Sequence, residues 1–266
     1  MPQMVLALVP HPDDAEFAAG GTLARMAAEG ARVVIVIATD GGAGSLRHDR
    51  DALAAIRAEE ARRAAQILGA EEPLLLGHPD GGLDLLPAGL LREQFTRLIR
   101  RFRPDVLIAE DPWAPYEQHP DHRAVAWAAS DAVGFSHLPL VYPAHRAEGL
   151  EPHFVAEKYW YGASPDAASH IVDISTTIDV KTAAIAAHES QVEFLVEDIA
   201  RQAELAGLDL RARMGELAAN PRQAIAWAVR QEAAATGQPA GLAFGEAFRC
   251  ARFHPYVEAL LAPQEG

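Results

Sequence analysis

The chain has 266 residues, of which 50% are hydrophobic and 23% are charged. This composition excludes a disordered chain, and the length allows one large α/β domain or two modest ones. The formal net charge of −14 argues against binding nucleic acid through a broad basic surface, so a small neutral or cationic substrate fits better. Because no linker divides the sequence, we expect a single domain over residues 1–266.

Cysteine content and hydropathy narrow the class of protein further. Cys250 is the only cysteine, which excludes an intrachain disulfide and a thiolate-rich metal site, so any metal needs His and carboxylate ligands. The longest apolar stretch, RVVIVIA, is too short to cross a bilayer, and the N-terminus shows no export signal. We therefore expect a cytoplasmic protein without a membrane partner.

Strand and helix patterns alternate through the first half of the chain. Continuous apolar runs predict buried strands over 3–9, 31–38, 74–77 and 105–110. Apolar residues at helical spacing predict helices over 16–29, 51–68, 88–102 and 121–133. This alternation is typical of βαβ units, so we predict a Rossmann-like three-layer α/β fold with a mainly parallel sheet.

The second half of the chain is less regular. Its patterns predict two strands, a helix and a closing strand over 158–164, 170–174, 175–190 and 242–250. Residues 193–236 are rich in Ala, Glu and Arg, and predict a helical elaboration broken at Gly207 and at Asn220-Pro221. We expect this elaboration to shape the mouth of a substrate site or a contact between subunits.

The tripeptide His-Pro-Asp occurs three times, at 11–13, 78–80 and 119–121, and each copy follows a predicted strand. Ligands of open α/β sheets bind at the carboxyl ends of the strands, so we expect these loops to meet. Proline makes each tripeptide locally stiff, although a single copy is also a common turn sequence, which is how we interpret 78–80. The copies after the first and fourth strands together indicate a functional site.

These residue types suit a catalytic metal site. His11, Asp14 and one histidine of the 119–122 loop can provide three zinc ligands, which leaves a fourth position for water. Asp13 is then an unliganded carboxylate that can take a proton from that water. The other histidine of the loop can stabilise an oxyanion and protonate a leaving amine, with Asp121 behind it. The pattern predicts metal-assisted hydrolysis of an amide.

Longer segments around these motifs resemble a known family. They are VPHPDDAEFAAGGTLAR, IRAEEARRAAQILGA, LLLGHPDGGLD, DPWAPYEQHPDHRAV, HIVDISTTIDVKTAAIAAHESQ and GEAFR. With these segments the chain resembles the PIG-L/LmbE-like family of zinc-dependent N-acetylglucosaminyl de-N-acetylases. DPWAPYEQHPDH and the long second half are most similar to the diacetylchitobiose deacetylase branch of that family.

The resemblance implies a metal site at the matching positions. It implies His11, Asp14 and His122 as zinc ligands and Asp13 as the general base. The resemblance thereby selects the histidine of the 119–122 loop that binds the metal. Fe²⁺ is an alternative metal, since the same two-histidine, one-carboxylate set also binds iron.

The resemblance also implies catalytic and substrate-binding residues outside the ligand set. His119 is implied as the acid that stabilises the oxyanion, and Asp121 as the residue that orients His119. Arg57 matches a substrate-contacting arginine of the family, and Asp80 matches a carboxylate near the sugar, so both are implied to bind substrate. The alternative interpretation, without a role in binding, is that Arg57 is an exposed arginine of a helix and Asp80 an aspartate of a turn.

The implied reaction removes the N-acetyl group from a GlcNAc-containing small molecule or oligosaccharide, releasing acetate and a free amine. The metal centre contacts only the amide, so deacylation of a thiol conjugate or of a secondary-metabolite amide stays an alternative. A non-catalytic, metal-dependent sugar-binding protein is a further alternative, which the spare residues Asp13, His119 and Asp121 disfavour. The branch resemblance implies a homo-oligomer as well, because its members assemble as hexamers.

Overall fold

The computed structural model describes residues 2–164, 166–210, 212, 215 and 220–261 and contains a seven-stranded sheet. Its strands are β1 (Met4–Val9), β2 (Arg32–Thr39), β3 (Leu74–His78), β4 (Val106–Glu110), β5 (Glu157–Tyr161), β6 (His170–Asp173) and β7 (Gly245–Ala251). Their order is β3-β2-β1-β4-β5-β7-β6, with β1 to β5 parallel and β7 antiparallel to both of its neighbours. The predicted Rossmann-like fold with a mainly parallel sheet is confirmed.

Nine α-helices lie within the described residues. They are α1 (Asp14–Ala28), α2 (Arg50–Leu68), α3 (Leu90–Phe102), α4 (Pro120–Phe135), α5 (Ala144–Ala147), α6 (Ile178–Ala186), α7 (Glu189–Leu205), α8 (Pro221–Gly237) and α9 (Pro255–Leu261). Helices α1, α2 and α6 pack on one face of the sheet, and α3 and α4 pack on the other. Among these helices, none combines the length and the apolar character needed to span a membrane.

The two faces of the sheet carry separate hydrophobic clusters. Side chains alternate along a strand, so Val5 and Val9 of β1 join the cluster under α1, whereas Leu6 and Leu8 join the cluster under α3 and α4. Burial on both faces explains why β1 is apolar throughout. Each fully buried aliphatic side chain of this kind contributes about 1.5–3 kcal/mol to folding.

The prediction of one continuous helix over 175–190 is wrong. The segment forms α6 and the start of α7, with a break at Ala187 and His188. The backbone of His188 (φ −84°, ψ 61°) is not helical, and its ring is fully buried, with Nε2 3.5 Å from a carboxylate oxygen of Glu16. The tertiary position of this one side chain thus interrupts a locally helical pattern.

Two other predicted boundaries are set by single residues. β5 ends at Tyr161, because Gly162 adopts a φ of +72° in the left-handed region. In the predicted elaboration over 193–236, α7 ends shortly before Gly207, and α8 begins after Asn220, whose side chain accepts the N–H of Gln223. Residues 211, 213–214 and 216–219 of this prediction lie outside the described residues.

The strand order places a crevice at the carboxyl ends of β1 and β4. From β1 the chain proceeds to β2 on one side, and β4 later pairs with β1 on the other side. Such a reversal of strand order opens a gap between the loops that follow the two strands. The His-Pro-Asp copies at 11–13 and 119–121 therefore face each other across this gap.

Candidate active site

The two facing loops are held in stiff local conformations. Asp13, which precedes the first residue of α1, has a φ of 114°, in the left-handed region that favours glycine. Non-glycine residues in this region are strained and concentrate at functional sites. In the facing loop, Nδ1 of His119 accepts the backbone N–H of Asp121, and Pro120 occupies the first turn of α4. The start of α4 thereby fixes His119 and Asp121 relative to β4.

His11, Asp14 and His122 form a group with metal-ligand spacing. Nδ1 of His11 lies 3.2 Å from Oδ2 of Asp14, and Nε2 of His122 lies 3.6 Å from Oδ1 of the same carboxylate. Ligand atoms bound to one tetrahedral zinc at about 2.0–2.2 Å are separated by about 3.4 Å. The donor set and its spacing therefore fit one metal ion held by these three residues.

Each of the two histidines of this group has a carboxylate behind it. Nδ1 of His122 lies 2.8 Å from Oε2 of Glu110, which leaves Nε2 for a metal. Nε2 of His11 lies 3.2 Å from Oδ1 of Asp80 and 3.3 Å from Oδ2 of Asp121, which leaves Nδ1. Carboxylates in this position fix the tautomer of a ligating imidazole and raise its basicity. The surroundings thus fit the ligand set as well.

The electrostatics of the cluster favour a positive charge. Burial lowers the pKa of His11, but hydrogen bonds to Asp121 and two further carboxylates outweigh it and raise the pKa to about 12. Burial also lowers the pKa of His122, but the hydrogen bond to Glu110 and other carboxylate charge raise it to about 9. A divalent cation satisfies the same negative potential once both imidazoles have lost their protons.

Asp13 lies beside this group and is held by Arg57. Oδ1 of Asp13 is 3.3 Å from Nη2 of Arg57, which also donates to the carbonyl of Pro12 at 2.5 Å, while Nη1 donates to the carbonyl of Gly41 at 3.0 Å. Arg57 is only 3% exposed, so it is not the exposed helical arginine of the alternative interpretation. Burial raises the pKa of Asp13 to about 6, although Arg57 opposes the shift.

Asp121 and Asp80 are anchored in the protein interior. The Asp121 carboxylate is fully buried and accepts the N–H groups of Gly81 at 2.7 Å and Leu83 at 2.9 Å, as well as contacting His11. Its contact with His119 is made by its backbone N–H. Burial raises the pKa of Asp80, but hydrogen bonds from His11 and a backbone N–H lower it to about 2. These contacts hold the carboxylates of both residues in fixed positions beside His11.

The structure brings the sequence-predicted residues into one cluster. Contacts made by His11, by Asp13 and at the start of α4 connect the group of His11, Asp14 and His122 to the remaining predicted residues. The members of the cluster are His11, Asp13, Asp14, Arg57, Asp80, His119, Asp121 and His122. Such a cluster combines a metal-ligand set with a carboxylate and an imidazole outside it, which is the equipment of a hydrolytic metal centre.

Comparison with known proteins identifies the family of this chain. The family model PIG-L, described as GlcNAc-PI de-N-acetylase, matches residues 6–133. The diacetylchitobiose deacetylase of Thermococcus kodakarensis is 36% identical over 190 residues, which cover 70% of this chain and 69% of that protein. The chain belongs to the PIG-L family.

Similarity to PIG-L-like deacetylases extends beyond the matched region. A 1D-myo-inositol 2-acetamido-2-deoxy-alpha-D-glucopyranoside deacetylase of Mycobacteroides abscessus is 31% identical over 225 residues, 68% of this chain and 79% of that protein. The solved N,N'-diacetylchitobiose deacetylase from Pyrococcus horikoshii, complexed with its inhibitor MPG, has a TM-score of 0.77 and 30% identity, covering 97% of this chain and 88% of that chain. The second half of this PIG-L protein therefore shares the fold of a related enzyme.

Sequence reasoning missed Glu110 in this PIG-L site. Glu110 is the last residue of β4 and is buried, yet in the sequence it resembles an ordinary polar strand end. The one available signal was a charged residue that closes an otherwise apolar strand, twelve positions before His122.

Sequence reasoning also missed a buried ion pair beside the site. Nζ of Lys181 lies 2.5 Å from Oε1 of Glu246 and donates to the carbonyl of Phe17 at 2.6 Å. Glu246 in turn accepts the N–H groups of Gly21 and Thr22. The pair therefore ties α6 and β7 to α1, the helix that begins at Asp14.

Proposed function

We propose that this protein is a zinc-dependent hydrolase that removes the N-acetyl group from a GlcNAc-containing small molecule or oligosaccharide, releasing acetate and a free amine. The observation that carries the proposal is the position of Asp13, a carboxylate that lies beside the ligand group without belonging to it. The related deacetylases of diacetylchitobiose and of an inositol-linked acetamido sugar support the substrate class.

In this proposal His11, Asp14 and His122 hold the metal. A bound Zn²⁺ supplies an acidic site that lowers the pKa of a water molecule from ~15.7 to about 7 and polarises the acetyl carbonyl. Two histidines and one carboxylate also accept Fe²⁺, so metal analysis of the purified protein distinguishes the two ions.

Asp13 is proposed as the general base. Its carboxylate takes the proton of the attacking water, and the guanidinium of Arg57 keeps it in place. The strained backbone of Asp13 fixes the direction of the carboxylate, so that little reorganisation accompanies proton transfer.

His119 is proposed to stabilise the oxyanion and to protonate the leaving amine. Because Nδ1 of His119 accepts the Asp121 N–H, the ring proton of neutral His119 lies on Nε2, where it can form a hydrogen bond to the oxyanion. Burial, together with the nearby imidazoles, lowers the pKa of His119, which favours this neutral hydrogen-bond donor. To protonate the amine, His119 must first become an imidazolium, and the proton that Asp13 takes from the attacking water is the source. Asp121 is proposed to orient His119 through this backbone N–H, since its carboxylate contacts His11 instead.

Arg57 and Asp80 are proposed to contribute to substrate binding, on the resemblance to the family. Their buried contacts support a share in positioning as well, since Arg57 holds Asp13 and Asp80 contacts His11. Kinetics of the variants R57K and D80N separate the two roles. Lost sugar contacts raise KM, whereas misplaced catalytic groups lower kcat.

The variant D13N tests the assignment of the base. We expect acetate release to fall by at least 10²-fold while zinc content stays near one ion per chain, because Asp13 does not hold the metal. D131N, the same change at an exposed aspartate of α4, is the matched control. A D13N protein with full turnover contradicts the proposal. Assays with GlcNAc, diacetylchitobiose, GlcNAc-inositol and GlcNAc-malate identify the substrate.

We also propose that the protein is a homo-oligomer. An apolar groove of about 780 Å³ between α7 and α8, with Ile199, Leu208 and Trp227 partly exposed along it, supports an additional contact surface. Light scattering on the purified protein measures the assembly, up to the hexamer of the related branch. A monomeric mass at micromolar concentration contradicts the proposal.

A further inference from the structure

A second cavity, of about 420 Å³, opens beside the metal-ligand residues on the side of the C-terminal half. Asp14, Glu110 and His122 line it from the direction of the site, and α8 and β7 form the opposite wall. Its volume is within the range of about 300–1,000 Å³ that is usual for small-molecule sites. The residues of the opposite wall belong neither to the proposed metal ligands nor to the proposed acid and base, so their role is not yet accounted for.

The lining of this cavity carries an excess of negative charge. Five carboxylates and a single ammonium group, that of Lys181, are among the described lining residues. Lys181 is already paired with Glu246, and the described part of the chain offers no Lys or Arg partner to Glu110, Glu117 or Glu232. A divalent cation at Asp14 would not neutralise this excess, so the cavity favours a cation and disfavours an anion.

Tyr161 provides an independent sign of a ligand in the same cavity. This residue lines the cavity and is 7% exposed, and its hydroxyl has no hydrogen-bond partner among the described residues. A buried hydroxyl without a partner is unfavourable by about 1–3 kcal/mol, so such groups usually meet a ligand or water. A sugar hydroxyl is a matching partner, because it both donates and accepts a hydrogen bond.

We propose, building on the deacetylase function proposed above, that this cavity binds the sugar unit attached to the reacting GlcNAc and selects it by charge. The Tyr161 hydroxyl bonds a hydroxyl group of that unit, and Glu232 on α8 attracts an ammonium group on it. The protein therefore prefers a GlcNAc conjugate whose second unit is an amino sugar, accepts a neutral sugar, and disfavours a uronic acid.

Three GlcNAc disaccharides that differ in charge test the selection. Their second rings are glucosamine, glucose and glucuronic acid, and acetate release gives kcat/KM for each. At low ionic strength we expect kcat/KM to be roughly tenfold higher for the glucosamine conjugate than for the glucuronic acid conjugate, with glucose between them. Equal kcat/KM values for the three disaccharides overturn the proposal.

The variant E232Q tests the source of the selection. We expect it to reduce the ratio between the glucosamine and glucuronic acid conjugates at least threefold, while kcat for the glucose conjugate stays within twofold. E204Q, which removes the same charge at the other groove between α7 and α8, is the control and keeps the ratio. An E232Q ratio equal to that of the unaltered protein overturns the role of Glu232.

The variant Y161F tests the hydroxyl contact. We expect KM for the glucose disaccharide to rise about fivefold, while methyl N-acetylglucosaminide, which has no second ring, keeps its kcat/KM within twofold. We also expect Tm to stay equal or to rise, because Phe removes a hydroxyl that has no described partner. A lower Tm with an unchanged KM identifies a purely structural tyrosine and overturns the assignment.

Calorimetry separates a failure of the cavity proposal from a failure of the proposed deacetylase activity. If no disaccharide releases acetate, the proposed function has failed, and binding of the three disaccharides to the zinc-loaded protein then tests the cavity alone. The same order of affinity, weakened by E232Q, supports the cavity as a charge-selective site. Equal affinities overturn it, whatever reaction the metal centre performs.

Discussion

The carboxylate of Glu110 lies 2.8 Å from Nδ1 of His122, and this contact decides which ring nitrogen of His122 faces Asp14. Glu110 reaches the contact because it is the last residue of β4, whose preceding residues are buried and apolar. Burial raises the pKa of Glu110, and the hydrogen bond with His122 partly offsets that shift. The end of a core strand is thus coupled directly to the proposed metal site.

We predict that substitutions of Glu110 weaken metal binding. E110Q keeps a hydrogen-bond acceptor but loses the charge, and we expect about tenfold lower affinity. E110A frees the ring of His122, and we expect a loss approaching about 100-fold. Competition with a chromophoric chelator measures both values. The control is E93Q, which alters a similar Glu–His pair with His145 away from the metal site. Unchanged affinity in E110A contradicts the assigned role of Glu110.

We predict that metal affinity increases with pH from pH 6 to pH 9, because both histidines of the proposed ligand set must lose a proton. In the metal-free protein the pKa of His122 is about 9 and that of His11 is about 12, so below pH 9 a metal must displace a proton from each. The apparent affinity should rise about tenfold per pH unit for each proton released. Titrations at pH 6, 7, 8 and 9 measure this slope. In E110Q the pKa of His122 is lower, so its slope should fall from two released protons to one at a lower pH.

The same shift predicts how the stability of the metal-free protein depends on pH. The pKa of His122 is raised from 6.5 to about 9 by folding, so protonation stabilises the folded state fully below about pH 6.5. This contribution is lost as pH rises towards 9. We expect the difference in unfolding free energy between the unaltered protein and H122N, measured by urea denaturation, to shrink over that interval. A constant difference would show that His122 is not protonated in the metal-free fold.

The parts of the site that sequence could predict are those encoded by local pattern. The mainly parallel sheet follows from the alternation of strand and helix patterns, and the strand ends then carry His11, Asp14 and His122 to one crevice. The stiffness of the His-Pro-Asp turns is also local, since it arises from proline within each tripeptide. Residues of this kind are predictable because neighbours in the chain determine their geometry.

The parts that sequence could not predict depend on partners far apart in the chain. Arg57 belongs to a helix rich in Arg and Glu, and only tertiary contacts with Asp13 and the carbonyl of Gly41 make its burial favourable. The break at His188 likewise depends on a buried approach to Glu16. Helical propensity is a weak preference, and one buried side chain of this kind overrides it.

We predict that R57K destabilises the protein although it keeps the charge. A lysine cannot reproduce the two carbonyl contacts of the guanidinium together with its approach to Asp13. We expect a loss of about 2–4 kcal/mol in the free energy of unfolding, measured by urea denaturation. R62K, on the same helix but with a partly exposed side chain, is the control and should cost less than about 0.5 kcal/mol. Equal losses in the two variants contradict a special role for Arg57.

The glycine pair of α1 gives a final prediction, which concerns packing. A Cβ atom on Gly21 would lie 2.7–2.8 Å from three side-chain atoms of Ile174, which is fully buried, so α1 would have to move. We expect G21A to lose about 1–3 kcal/mol, because overpacking outweighs the better helix propensity of alanine.

The matched control for this packing prediction is G134A, in α4. Apart from the chain neighbours of Gly134 and the nearby backbone of α4, the described residues place no atom within 4 Å of its Cβ position, so the alanine meets no obstacle. We expect G134A to gain about 0.5–1 kcal/mol, since alanine reduces the freedom of the unfolded chain. Urea denaturation should therefore move the two midpoints in opposite directions. If both variants gained stability, α1 could move away from Ile174 without cost. Close packing against Ile174 would then not explain the glycine at position 21.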